Sequence, residues 1–151
     1  MNGLQNQPES IPRIMMIAGE ASGDLHGAAL YRALKQRMKS FECIAMGGVA
    51  MRDAGLQIVV DSTALGVIGI WDVLTHYIPI RVALQRVKKN LDSFSPDLLI
   101  CIDYKEFNFR IAKYAKSRGI KVLFYVSPQV WAWRPGRVDK YGEVIDMMAV
   151  I

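Results

Sequence analysis

Three clusters of side chains carry groups that chemistry can use. The first is Ala18-Gly19-Glu20-Ala21-Ser22-Gly23-Asp24-Leu25-His26-Gly27, where two carboxylates and a hydroxyl fall between glycines. A glycine turn feeding a helix presents unpaired backbone N–H groups, which attract anions. Two readings stand here: Ser22 or Asp24 caps the helix and the segment is a tight turn, or Glu20, Ser22 and Gly23 face a ligand. The second cluster is Cys101-Ile102-Asp103-Tyr104-Lys105-Glu106-Phe107-Asn108. Asp103 follows an apolar run, and a carboxylate at the end of a strand can accept the proton of a hydroxyl as its oxygen attacks an electrophilic carbon. It could instead cap the helix that begins near Glu106. Glu106 and Asn108 either line such a site or occupy the first helical turn, where an acid is favoured by the helix dipole. The third cluster is Ser127-Pro128-Gln129-Val130-Trp131-Ala132-Trp133-Arg134, with Arg137 and Lys140 beyond it. Tryptophans one residue apart point opposite ways on extended backbone, so one packs inward while the other stays near a cleft. With Arg134 adjacent, phosphate or sugar contact competes with simple packing.

The elements that must position these groups alternate along the chain. Ile11 to Ala18 reads as a strand and Gly23 to Lys39 as a helix with Leu25, Ala28, Ala29, Leu30, Ala33, Leu34 and Met38 at helical spacing. Phe41 to Met46 is a second strand, Val49 to Asp53 a short helix ended by Gly55, and Gln57 to Val60 a third strand. Two helices separated near Pro79 are expected between Gly69 and Phe94, because proline lacks the backbone donor. Pro96 to Ile102 is a strand, Glu106 to Arg118 a helix closed by Gly119, Lys121 to Val126 a strand, and Val144 to Ile151 the start of another. This β-α alternation predicts an α/β fold, a doubly wound parallel sheet with right-handed crossovers. Residues 1–10 are polar and expected to be disordered, without the pattern of a secretory signal, and 11–151 form one domain. The last strand-like run reaches Ile151 with no helix after it, so the polypeptide is expected to continue.

With 151 residues, 52% hydrophobic and 22% charged, the composition is that of a soluble globular domain, and no apolar run is long enough to span a bilayer. Cys43 and Cys101 sit among apolar neighbours without metal or redox spacing, and are expected to be buried. His26 and His76 give no metal pattern; no metal and no cofactor are expected. The net charge of +5 is concentrated in Arg81, Arg86, Lys88 and Lys89 and in Arg110, Lys113, Lys116, Arg118 and Lys121. These are solvated helix faces or an attraction to an anionic surface. Nucleic-acid motifs are absent, so lipid is the better candidate surface. The segment Leu65 to Ile78, with Val67, Ile70, Trp71 and Leu74 ahead of Arg81 and Arg86, fits a membrane-interface helix or acyl groove, or else a core helix. The first glycine loop is not G-x-G-x-x-G, and no acid ends the second strand, which weighs against a nicotinamide site.

The long motifs A-G-E-A-S-G-D and S-P-Q-V-W-A-W-R resemble those of the lipid-A-disaccharide synthases, and the likeness runs from Ile14 onward. The resemblance implies an inverting glycosyltransferase with two Rossmann-like halves, the GT-B fold, of which this chain is the N-terminal, acceptor-side half. It implies transfer of 2,3-diacylglucosamine from a UDP carrier to 2,3-diacylglucosamine 1-phosphate at the cytoplasmic face of the inner membrane, giving lipid A disaccharide 1-phosphate and UDP. By resemblance Asp103 is the general base, and Glu20 and Ser22 belong to the N-terminal glycine loop. The family's D-A/S-P-D-F-N pattern reads Asp103-Tyr104-Lys105-Glu106-Phe107-Asn108 here, which leaves Glu106 without a clear counterpart role. The UDP group is held chiefly by the C-terminal half, so the fragment alone is expected to be inactive. Two other readings remain: a non-catalytic lipid- or protein-binding module in which Glu20 and Asp103 are only caps, and a nucleotide-binding enzyme such as a sugar epimerase.

Overall fold

Strands buried on both faces read as unbroken apolar runs, and that is how they are built here. The computed structural model describes residues 10–63, 77–103, 105–125 and 142–149. Successive side chains of the first strand, β1 (Arg13–Ala18), go to opposite layers: Met15 and Ile17 join one buried cluster, Ile14, Met16 and Ala18 the other. Then come α1 (Ala21–Arg37), β2 (Glu42–Gly47), α2 (Val49–Asp53) and β3 (Gln57–Asp61). They are followed by α3 (Tyr77–Phe94), β4 (Leu98–Ile102), α4 (Lys105–Ser117), β5 (Lys121–Tyr125) and β6 (Met147–Ala149).

All strands pair in parallel, in the order β3-β2-β1-β4-β5-β6. This is the doubly wound, Rossmann-like order predicted from the alternation. Ala28 of α1 and Met51 of α2 cover one face; Ala83, Leu84, Val87 and Leu91 of α3 and Phe107, Ile111, Ala112 and Ala115 of α4 cover the other. Each large side chain withdrawn in this way contributes about 1.5–3 kcal/mol.

Several boundaries differ from the sequence reading by a few residues. α1 starts at Ala21, two residues early, because neither Ser22 nor Asp24 serves as its cap. Pro79 lies in the first turn of α3, where its missing N–H has no intrahelical partner to lose; the helix expected ahead of it falls on residues 69–76, outside the described residues. β6 begins at Met147, three residues later than expected, and its expected end at Ile151 lies outside the described residues. Gly55 and Gly119 end their helices with φ of 95° and 75°, as a terminal glycine can. The expectation of disorder at the N-terminus falls on residues 1–9, outside the described residues. Among the described residues no helix is long and apolar enough to cross a membrane.

Candidate active site

The register brings the two acidic loops together. Ala18 pairs with Ile102 across the β1–β4 junction, so Gly19 and Asp103 leave the sheet side by side. β2 and β3 lie to one side of this junction and β5 and β6 to the other. Ligands of open α/β sheets bind in the crevice at the carboxyl ends of such a switch point.

The first turn of α1 sits on the junction because Gly23 is small. A Cβ there would lie 3.3 Å from the Ile102 carbonyl oxygen and 3.4 Å from Ala18 Cβ. Glu20 takes the N-cap position with φ −122° and ψ 160°, yet its side chain makes no capping hydrogen bond. The carboxylate is exposed, without a partner among the described residues. Ser22 does not cap either: its Oγ donates to Asp103 Oδ2 at 3.0 Å, linking the two loops.

Asp103 is half-buried and has φ of 32°, in the left-handed region that few non-glycine residues adopt. Such a conformation costs on the order of 1–3 kcal/mol and persists where the surroundings impose it. One constraint comes from behind. Asn108, 1% exposed, donates from Nδ2 to the Ile102 carbonyl at 3.2 Å, while its Oδ1 is buried with no partner among the described residues. Asn108, expected to line the site or to occupy the first helical turn, grips the backbone beneath the bend. Glu106, in the first turn of α4, is exposed.

Asp24 is the residue whose part sequence reasoning missed. It is 7% exposed and reaches away from its own helix to the N-terminus of α2. Oδ1 accepts from the Gly48 N–H at 2.8 Å and the Met51 N–H at 3.1 Å, and Oδ2 accepts from the Ala50 N–H at 2.8 Å. The available signal was Gly47-Gly48: a Cβ at Gly48 would sit 2.7 Å from Asp24 Oδ2. The loop after β2 is thereby tied to the α1 that carries Ser22.

Elsewhere the polar groups answer one another. At the end of β3, hydrogen bonds from the Thr63 hydroxyl and N–H, then from Arg52, hold Asp61 down to about 2. Lys116 and Lys121 pair with Asp146, and Arg118 pairs with Asp92, so this basic cluster includes ion-paired positions. Arg81 and Arg86 are exposed on α3, whose buried stripe faces the core. Burial pushes the Cys43 thiol up to about 12 and the fully buried Cys101 thiol also upward, so neither is a ready nucleophile. Cys43, expected buried, is only partly so. Ser127, Trp133 and Arg134, like Val67, Ile70, Trp71 and Leu74, lie outside the described residues.

Comparison with known proteins bears on what this crevice serves. A family model described as lipid-A-disaccharide synthetase matches residues 14–151. The lipid-A-disaccharide synthase of Trichlorobacter lovleyi is 50% identical over 139 residues, which is 92% of this chain and 36% of that protein. That of Nitrosococcus oceani is 49% identical over 142 residues, 94% of this chain and 37% of the relative. The chain thus spans a little more than a third of the length of the curated relatives it matches. Among solved structures, an S. aureus MnaA–UDP co-structure superposes with a TM-score of 0.64 at 15% identity, covering 93% of this chain and 38% of that one. At that identity the likeness is one of fold, the Rossmann-like form expected for one half of a GT-B enzyme.

Proposed function

The chain belongs to the lipid-A-disaccharide synthetase family, and from that premise we propose that it forms the acceptor-side half of an inverting glycosyltransferase of lipid A biosynthesis. The donor is the UDP conjugate of 2,3-diacylglucosamine and the acceptor is 2,3-diacylglucosamine 1-phosphate. The acceptor's sugar hydroxyl oxygen forms a bond to the donor's anomeric carbon. The bond from that carbon to UDP breaks with its electron pair leaving on the nucleotide, and the hydroxyl proton passes to the carboxylate of Asp103. The products are the disaccharide 1-phosphate and UDP.

The observation that carries this reading is the half-buried carboxylate of Asp103 at the switch point, oriented by Ser22 and accompanied on the adjoining loop by the exposed carboxylate of Glu20. Glu20 and Gly23, at the N-terminus of α1, then meet the acceptor. Asn108 steadies the wall behind them, and Ser127, Trp133 and Arg134 supply sugar and phosphate contacts. UDP is held mainly by a second half, so this chain by itself does not turn over. A non-catalytic module is the weaker reading, because it requires Glu20 to act only as a cap, and the Glu20 side chain makes no capping bond. In a chain supplying both halves, Asp103→Asn should lower UDP release about 10²- to 10⁴-fold with little change in acceptor binding; an unaltered rate would refute the role.

The acyl chains place the reaction at the cytoplasmic face of the inner membrane, with Val67, Ile70, Trp71 and Leu74 against lipid and Arg81 and Arg86 toward anionic headgroups. Co-sedimentation with anionic vesicles should weaken at high salt, where such attraction is screened. Binding indifferent to salt would count against this surface.

A further inference from the structure

We propose that Ser22 is a positioning residue for Asp103, acting on the carboxylate and not on the substrate; this rests on the reading of Asp103 as proton acceptor. Ser22 stands in the first turn of a 17-residue helix held from two sides. Gly23 seats that turn against the Ile102 carbonyl, and Asp24 clamps it to the backbone of α2 with three hydrogen bonds. The serine hydroxyl is therefore presented by a rigid element, as a group that orients another must be.

Asp103 needs such orientation. It is the first residue past β4, its backbone is held in the left-handed region at φ 32°, and its carboxylate has Ser22 as its one hydrogen-bonding side chain among the described residues. Asp24, Asp61 and Asp146 each accept from two or more groups. Donation from Ser22 to Oδ2 selects one side-chain rotamer and leaves Oδ1 to receive the proton. Asn108 completes the support from below, since its grip on the Ile102 carbonyl at 3.2 Å keeps the bend from relaxing. The helix serine and the strand-end aspartate, 81 positions apart, thus work as one unit.

The test is a kinetic cycle in a chain supplying both halves of the fold, read by UDP release and checked for unchanged thermal melting. Ser22→Ala should lower kcat about 10- to 100-fold, the scale of a misplaced catalytic group, with the acceptor KM within about twofold. Ser22→Thr, which keeps the hydroxyl, should restore most of the rate. In an Asp103→Asn background Ser22→Ala should cost nothing further, because the group it orients is gone. A raised KM with kcat intact would make Ser22 a substrate contact, and multiplicative losses in the double variant would make it independent of Asp103; either result overturns the proposal. Parental turnover by Asp103→Asn alone would instead remove the base reading itself, whatever Ser22→Ala does.

Discussion

Asp146, at the amino-terminal end of the sheet, accepts from Lys116 Nζ at 2.7 Å and from the Val122 N–H at 2.8 Å. Asp103, at the opposite end, accepts from Ser22 at 3.0 Å and sits on backbone with φ of 32°. Around Asp146 the arrangement is self-sufficient: Arg118 joins Asp92, Arg13 joins Glu42, and the Asp97 carboxylate takes the Arg13 N–H. At the Asp103 end, a strained main chain, an Asn108 oxygen and a Glu20 carboxylate, both without a partner among the described residues, gather at the carboxyl ends of β1 and β4. Satisfied groups stabilise a fold, whereas strain and spare hydrogen-bonding capacity are tolerated where something else must bind or react.

Asp24 sharpens the contrast, because it lies at the reactive end yet is built like a structural carboxylate. Asp24→Ala strips three N–H groups, two of them buried, of their acceptor and should cost about 3 kcal/mol or more in urea unfolding. Asp24→Asn, keeping one acceptor oxygen, should lose less. Asp103→Asn should behave in the opposite way. Asparagine tolerates left-handed backbone as well as aspartate does, so its unfolding free energy should stay within about 0.5 kcal/mol of the parent while turnover collapses. Comparable destabilisation by the two aspartate substitutions would erase the distinction.

The smallest effect belongs to acid. Hydrogen bonds, chiefly from Thr63 to Asp61 and from Lys116 to Asp146, hold both carboxyls at about 2, below their ordinary 3.8. A carboxyl held low in the folded state adds stability above its unfolded value, and that contribution disappears as pH falls from about 4 toward 2. With side chains 48% and 25% exposed, solvent screening keeps the contribution small. Thermal melts between pH 6 and pH 2 should fall gently in this window, and Asp146→Asn should flatten part of the slope.

Much of the sheet was legible because Ile14 to Ile17 and Leu98 to Ile102 are apolar without interruption, which only strands covered on both faces require. The place of Asp103 followed from its position at the end of such a run. What stayed hidden was the destination of short polar side chains. Ser22 and Asp24 have the composition of local caps, but tertiary structure gave each a more distant partner: Asp103 for Ser22, the α2 backbone for Asp24. Local pattern ranks the possible hydrogen bonds of serine and aspartate, and packing chooses among them. The positive φ of Asp103 was hidden for the same reason. It comes together with the seating of α1 against Ile102 and the hold of Asn108 on the Ile102 carbonyl, contacts that no local pattern announces.

The most direct measurement is a crystal structure of a chain supplying both halves, with the phosphorylated diacylglucosamine acceptor bound. The account predicts a sugar hydroxyl within about 2.6–3.2 Å of the Asp103 carboxylate, with Ser22 still on the other oxygen. An acceptor bound in the crevice with its hydroxyls turned toward another base, and Asp103 sealed against protein, would contradict it.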